Sequence, residues 1–332
     1  MSNSLTPPIP PDLSSDLPAD LPRASSPLQS PLANTAPTLN PEQPDGEAIV
    51  VVAPPPSFAG GSGVPARIPH LGHALLFVFC AGLILFASSA ILLGFAQPPH
   101  SAQKIITAAT HPKLIVAAMA LAYITTLIAS WFVFPLLWSR PFSDGIQWNF
   151  NTARHNVLKL IPIGLVTGFT VQAISSLIPV PKSIPMDDFF RTSSDVWLVT
   201  AFGTLLAPLF EEICFRGFLL PAFAIAYDWL SLPRTPAAHE RWKITTHLTT
   251  AALVFSSILS SILFALIHAE QLAHAWAALF VLFGVSLVLT LVRIRTRSVA
   301  SSVLVHASYN LSVFLTLFIA TGGYRHLERI GR

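Results

Sequence analysis

Charged side chains are scarce in this chain. Only 11% of its 332 residues are charged and 52% are hydrophobic, whereas roughly 25% are charged in an ordinary soluble domain. The 19 basic and 16 acidic residues leave a net charge of +3. The basic residues are scattered between apolar runs and form no stripe with interleaved aromatic residues, which argues against a nucleic-acid partner.

Several familiar signals are missing as well. The two cysteines, Cys80 and Cys214, lie far apart in apolar runs, so no disulfide framework is expected. The start of the chain lacks a basic segment followed directly by an apolar one, which argues against a secretory signal. The GxSxG elbow is absent, and so is HExxH, because His239-Glu240 is followed by Lys243 where a second histidine is needed. These absences exclude a disulfide scaffold and the soluble hydrolases of those two classes.

Long apolar runs, by contrast, dominate the chain after residue 70. A run of about 20 residues with almost no charge can cross roughly 30 Å of hydrocarbon as a helix. We predict an all-α, polytopic transmembrane helix bundle over residues 70–325 with about seven spans. The spans are placed near residues 71–95, 114–138, 158–178, 197–225, 248–268, 273–292 and 298–320. Pro208 is expected to kink the fourth run, and the GxxxG pattern of Gly164 and Gly168 indicates close helix packing.

The first 69 residues differ from the rest in composition. They hold 16 of the 29 prolines, with many Ser, Ala and Asp residues, which predicts a disordered tail. Counted over the predicted loops, ten Lys and Arg residues fall on the N-terminal side of the membrane and seven on the other. This bias favours a cytoplasmic N-terminus. We expect a multi-pass protein of a bacterial cell membrane, in contact with the lipid bilayer, and the sequence indicates no oligomeric state.

The first of three polar motifs at membrane depth is EEICFR, which contains Glu211, Glu212 and Arg216. A charge at the bilayer centre costs at least about 2.5–3.5 kcal/mol, so it normally faces a partner or a wet cavity. Glu212 and Arg216 are four residues apart and can form a buried ion pair that supports the structure. Glu211 is rotated by about 100° from Glu212 and has no partner on its own helix. Its carboxylate is therefore the candidate general base or acid.

The other two motifs are FALIH, with Phe264 and His268, and HASYN, with His306 and Asn310. Taken singly, an interfacial histidine or hydrogen bonds between helices would explain them. Together with Glu211, they provide the base, two imidazoles and an amide donor that peptide hydrolysis needs. Glu211, His268 and His306 could instead hold one divalent ion such as zinc with an open water position. The sequence leaves both chemistries open, with one metal ion or with none.

The order EExxxR, FxxxH and HxxxN on successive hydrophobic helices resembles the CAAX protease and bacteriocin-processing family, also called CPBP or Abi. This is a family of intramembrane proteases that includes the type II CAAX prenyl endopeptidases. The resemblance covers about residues 158–320. It implies that a buried Glu-activated water hydrolyses a peptide bond of a membrane-associated or lipidated substrate.

The resemblance also implies a role for each motif residue. Glu211 would activate the water with His268 beside it, while His306 and Asn310 would stabilise the oxyanion or orient the water. The residues that would support the structure are Glu212, Arg216 and Phe264. Two alternatives have other functions. One is a non-catalytic scaffold or bacteriocin self-immunity protein on the same fold, and the other is a transporter, which would usually show repeated halves.

Overall fold

The computed structural model describes residues 67–96, 111–178 and 184–329. Regular secondary structure within these ranges is entirely helical, which confirms the predicted all-α class. The predicted disordered tail, residues 1–69, lies outside the described residues except for its last three. The tail and the domain boundary at residue 70 therefore stay predictions.

Ten α-helices are described, together with short 3-10 turns at Pro185–Phe190 and Leu327–Arg329. In chain order they are α1 (Leu71–Ala96), α2 (Pro112–Trp138), α3 (Phe142–Gly145), α4 (Phe150–His155), α5 (Val157–Ser175), α6 (Ser193–Ser231), α7 (Pro236–Ile244), α8 (Thr250–Leu266), α9 (Trp276–Thr296) and α10 (Val299–Ala320). Six of them, α1, α2, α5, α6, α9 and α10, are long and apolar enough to cross a membrane. The 17-residue α8 is shorter, about 26 Å at 1.5 Å per residue. Each of the seven predicted runs thus corresponds to a helix.

Local capping determines where the three motif-bearing helices begin. The Thr192 hydroxyl accepts the N–H of Asp195 at the start of α6, at 3.2 Å. Thr249 does the same for α8 at 3.1 Å, and Ser298 for α10 at 3.2 Å. A side-chain oxygen at this position satisfies a backbone donor that has no partner within the helix. The helix starts are therefore encoded by residues next to them in the sequence.

Helices α5 and α10 pack closely because α5 presents glycines. A Cβ atom added to Gly164 would lie 2.6 Å from the Cβ of Ser308, and one added to Gly168 would lie 3.0 Å from the Cβ of Ser312. Side-chain atoms essentially never approach so closely. The structure confirms the close packing that the GxxxG pattern predicted. This contact holds α10, the helix that carries His306 and Asn310.

Helix α6 contains two π-helical turns, Phe202–Leu206 and Ile213–Leu219, on either side of the segment Ala207–Glu212. The interruption expected near Pro208 thus includes a π turn just before the proline. The Ala207 N–H bonds the carbonyl of Phe202, five residues earlier. The next bond of that pattern would join residue 208 to the Gly203 carbonyl, but proline has no N–H. The Gly203 carbonyl is therefore free to bond a group on another helix.

Candidate active site

The four residues predicted to be catalytic line a single cavity of about 340 Å³. Glu211 comes from the middle of α6, and His268 lies in the turn directly after α8. His306 and Asn310 lie one turn apart on α10. The fold therefore brings three separate motifs to one place, although their catalytic roles stay predictions.

Glu211 faces this cavity with 15% of its side chain exposed. Its Oε2 atom lies 3.9 Å from Nε2 of His306. That distance is too long for a direct hydrogen bond but lets one water bond both atoms at about 2.8 Å, with an angle of about 90° between the two bonds. Glu211 therefore faces the imidazole of His306 on another helix, at a distance that leaves room for one water between them.

Glu212 and Arg216 form the ion pair that their spacing predicted. The Nη1 atom of Arg216 lies 2.8 Å from Oε1 of Glu212, and the two side chains are 1% and 0% exposed. Arg216 also donates to the carbonyl and hydroxyl of Ser286 on α9, at 2.9 and 2.7 Å. The same Oε1 atom of Glu212 lies 2.9 Å from Nδ1 of His306. The pair consequently links α6 to α9 and α10, and one member contacts the site directly.

Phe264 lies among the polar groups of the site. Its ring centroid is 4.9 Å from Cζ of Arg216, 5.0 Å from the ring of His268 and 5.8 Å from the ring of His306. The Nδ1 atom of His268 bonds the Phe264 carbonyl at 2.8 Å. The buried phenyl ring therefore packs against both imidazoles and the guanidinium, and its supporting role stays a prediction.

Asn310 is anchored by a contact that the motifs did not predict. Its Nδ2 atom donates to the Gly203 carbonyl at 2.6 Å. This is the carbonyl left free by Pro208, so the signal was present in the sequence as a proline five residues after Gly203. The hydrogen bond fixes the amide of Asn310 beside His306.

The rest of the cavity wall is mostly apolar, which sequence reasoning also missed. Its members include Val116, Val199, Phe202, Val281, Leu282 and Phe314. At one end the wall includes Met186 and Gln271 from two connecting segments, which are joined by a bond of 3.3 Å from the Met186 N–H to the Gln271 carbonyl. The polar site is thus one part of an otherwise apolar pocket.

The predicted metal ligands have suitable chemistry but do not form a complete ligand set. His268 and His306 are both held through Nδ1, as metal-binding histidines usually are. Within the described ranges, however, no three His, Cys, Asp or Glu side chains are grouped closely enough to hold an ion. A zinc site with Glu211, His268 and His306 as its three protein ligands therefore stays a prediction.

Comparison with known proteins agrees with the motif order. No curated protein and no solved structure matches the chain. The sequence model of the type II CAAX prenyl endopeptidase Rce1-like family matches residues 193–312. That range contains Glu211, Glu212, Arg216, Phe264, His268, His306 and Asn310. The segment of residues 193–312, about a third of the chain, is therefore similar to the Rce1-like type II CAAX prenyl endopeptidases.

Proposed function

We propose that this protein is an intramembrane endopeptidase that hydrolyses a peptide bond of a membrane-associated or lipidated substrate with a water activated by Glu211. The observation that carries the proposal is the convergence of Glu211, His268, His306 and Asn310 on one cavity. Ionisable and amide side chains are costly at membrane depth unless a partner or a wet cavity compensates them. Their grouping around a single space is best explained by shared chemistry.

The reaction needs only groups that line this cavity. Glu211 accepts a proton from the water, the water oxygen attacks the carbonyl carbon, and the carbonyl π electrons move to the oxygen. The C–N bond then breaks as Glu211 returns the proton to the leaving nitrogen. One water is consumed, a carboxyl group and an amine are formed, and Glu211 is again a carboxylate. Asn310, which lines the same cavity, supplies the amide donor for the oxyanion in this proposal.

The cavity wall supports an apolar substrate group. Its described lining contains no Lys or Arg, and most of its members are apolar. Apolar surface of this kind gains about 25 cal/mol per Å² when it is removed from water. A prenyl or other lipid chain attached near the scissile bond suits such a wall, and a prenylated peptide is therefore the first substrate to test.

Glu211→Gln tests the role of the proposed base. The purified protein in lipid vesicles is incubated with a farnesylated peptide and with the same peptide lacking the lipid, and products are identified by mass spectrometry. The substitution keeps the shape of the side chain but removes proton acceptance, so kcat should fall about 10²–10⁴-fold. Glu270→Gln, an exposed glutamate in the loop after His268, is the matched control and should cleave normally.

Each outcome of this experiment has a defined meaning. Normal cleavage by Glu211→Gln would remove Glu211 as the base, and failure of the native protein on both peptides would count against the substrate class.

A parallel arm measures bound metal and cleavage after dialysis against a chelator. Cleavage should survive, because the side chains do not form a three-ligand set. Loss of cleavage that added zinc restores would show that these side chains close around an ion.

A further inference from the structure

The buried carboxylate of Glu212 determines which nitrogen of His306 carries a proton. Its Oε1 atom lies 2.8 Å from Nη1 of Arg216 and 2.9 Å from Nδ1 of His306. A carboxylate paired with a guanidinium is ionised and can only accept hydrogen bonds. Nδ1 of His306 must therefore be the donor. In the neutral ring, the proton is on Nδ1 and the lone pair is on Nε2.

This tautomer constrains the chemistry on the cavity side of the ring. Nε2 of His306 faces Oε2 of Glu211 at 3.9 Å. With a lone pair, Nε2 can accept a hydrogen bond from the water but cannot donate one to an oxyanion. The same holds for neutral His268, because its Nδ1 must donate to the Phe264 carbonyl, which only accepts. Both imidazoles thus present acceptors to the cavity.

Asn310 has the opposite property. One of the two hydrogens on Nδ2 is donated to the Gly203 carbonyl at 2.6 Å. The second hydrogen is available, and Asn310 lines the cavity. Among the three predicted catalytic side chains other than Glu211, Asn310 is therefore the one that can donate to an oxyanion while both histidines are neutral.

We infer that Glu212 is a positioning residue that locks His306 as the Nδ1–H tautomer, so that His306 helps Glu211 to hold and orient the water while Asn310 donates to the oxyanion. This assigns Glu212 more than a structural ion pair with Arg216. The family resemblance left two roles open for His306, which were to stabilise the oxyanion or to orient the water. The tautomer assigns it the second role. The roles of His306 and Asn310 rest on the proposed peptidase function, whereas the tautomer depends only on the hydrogen bonds.

Nitrogen NMR tests the tautomer without any substrate. The protein is labelled with ¹⁵N-histidine, and the His306 signals are identified by their loss in His306→Gln. At a pH where the ring is neutral, Nδ1 should give the signal of a protonated nitrogen and Nε2 that of an unprotonated one. The reverse assignment would overturn the inference even if no peptide is cleaved.

Two variants test the catalytic consequence. Replacing the buried ion pair by the apolar pair Glu212→Met with Arg216→Met avoids a lone buried charge and is often tolerated by a fold. It removes the acceptor for Nδ1, so the tautomer preference should be lost and kcat should fall about 10–100-fold with KM unchanged. Glu212→Gln retains an oxygen acceptor, and it should keep the tautomer and most of kcat.

A purely structural role makes a different prediction. If the ion pair only holds helices together, a double variant with the native melting temperature would cleave at the native rate, and this result would refute the positioning role. If the double variant does not fold, the native His306 spectrum still tests the lock, because a proton on Nε2 instead of Nδ1 would refute it. Absence of cleavage in every protein with the predicted spectra would count against the peptidase function alone.

Discussion

His306 lies between two carboxylates that have different surroundings. On its Nδ1 side, Glu212 is fully buried and paired with Arg216. On its Nε2 side, Glu211 is partly exposed to the cavity and has no cation paired with it among the described salt bridges. Adjacent residues on a helix are rotated by about 100°, so Glu211 faces the cavity while Glu212 faces a buried guanidinium.

At the residue scale, Asn310→Ala should reduce kcat with little change in KM. The alanine keeps the helix but removes the donor that we assign to the oxyanion, and loss of one such donor typically costs about 10²–10³ in kcat. Steady-state kinetics with the peptide cleaved by the native protein would measure the effect. Ser308→Ala is the matched control, because its hydroxyl bonds the Leu304 carbonyl of its own helix at 2.7 Å. Equal rates for the two variants would contradict the assignment.

At the element scale, the position of α10 depends on how closely α5 can approach it. Gly164 and Gly168 lie against Ser308 and Ser312, with no space for a side chain between the two backbones. In a bilayer there is little hydrophobic driving force between helices, so packing of small residues contributes much of the association. The same contact sets the depth at which His306 faces Glu211.

Gly168→Val should therefore destabilise the bundle and lower activity together. An added Cβ would lie 3.0 Å from that of Ser312, and overpacking of this kind typically costs about 1–3 kcal/mol. Thermal unfolding in detergent should show a lower melting temperature. Gly82→Val on α1 is the control, because nothing lies within 4 Å of its added Cβ. A native melting temperature for Gly168→Val would mean that the two helices can separate without cost.

At the scale of the whole molecule, the cavity lies toward one face of the bundle. Its lining includes Val116 near the start of α2, Ser175 at the end of α5, and Met186 and Gln271 in connecting segments. If α8 also crosses the membrane, successive spans place all of these on the side opposite the N-terminus. The Lys and Arg count of ten against seven predicts a cytoplasmic N-terminus. The substrate should then enter from the non-cytoplasmic side.

Cysteine labelling in intact bacterial cells tests this orientation. Asp188→Cys and Ala237→Cys are made separately in a background that carries Cys80→Ala and Cys214→Ala. Both positions are exposed, and they fall in connections predicted on opposite sides of the membrane. A membrane-impermeant maleimide should label Asp188→Cys in intact cells and Ala237→Cys only after permeabilisation. The reverse pattern would place the cavity mouth in the cytoplasm.

Much of the helical structure was predictable from local patterns in the sequence. The apolar runs and the prolines indicate helices in the right places, because helix formation and membrane insertion depend on neighbouring residues. The Glu212–Arg216 pair was predictable for the same reason, since both residues lie on one helix face. The candidate catalytic residues were recognisable because polar side chains are energetically costly in an apolar run. They are Glu211, His268, His306 and Asn310.

Other features were decided only by the tertiary structure, because they join groups far apart in the chain. Nothing near Glu212 in the sequence indicates that the same oxygen that pairs with Arg216 also receives Nδ1 of His306. The bond from Asn310 to Gly203 likewise exists only where α10 crosses a carbonyl that Pro208 leaves free. Local sequence thus indicated which side chains were candidates for chemistry, whereas helix packing sets which nitrogen of His306 faces the cavity.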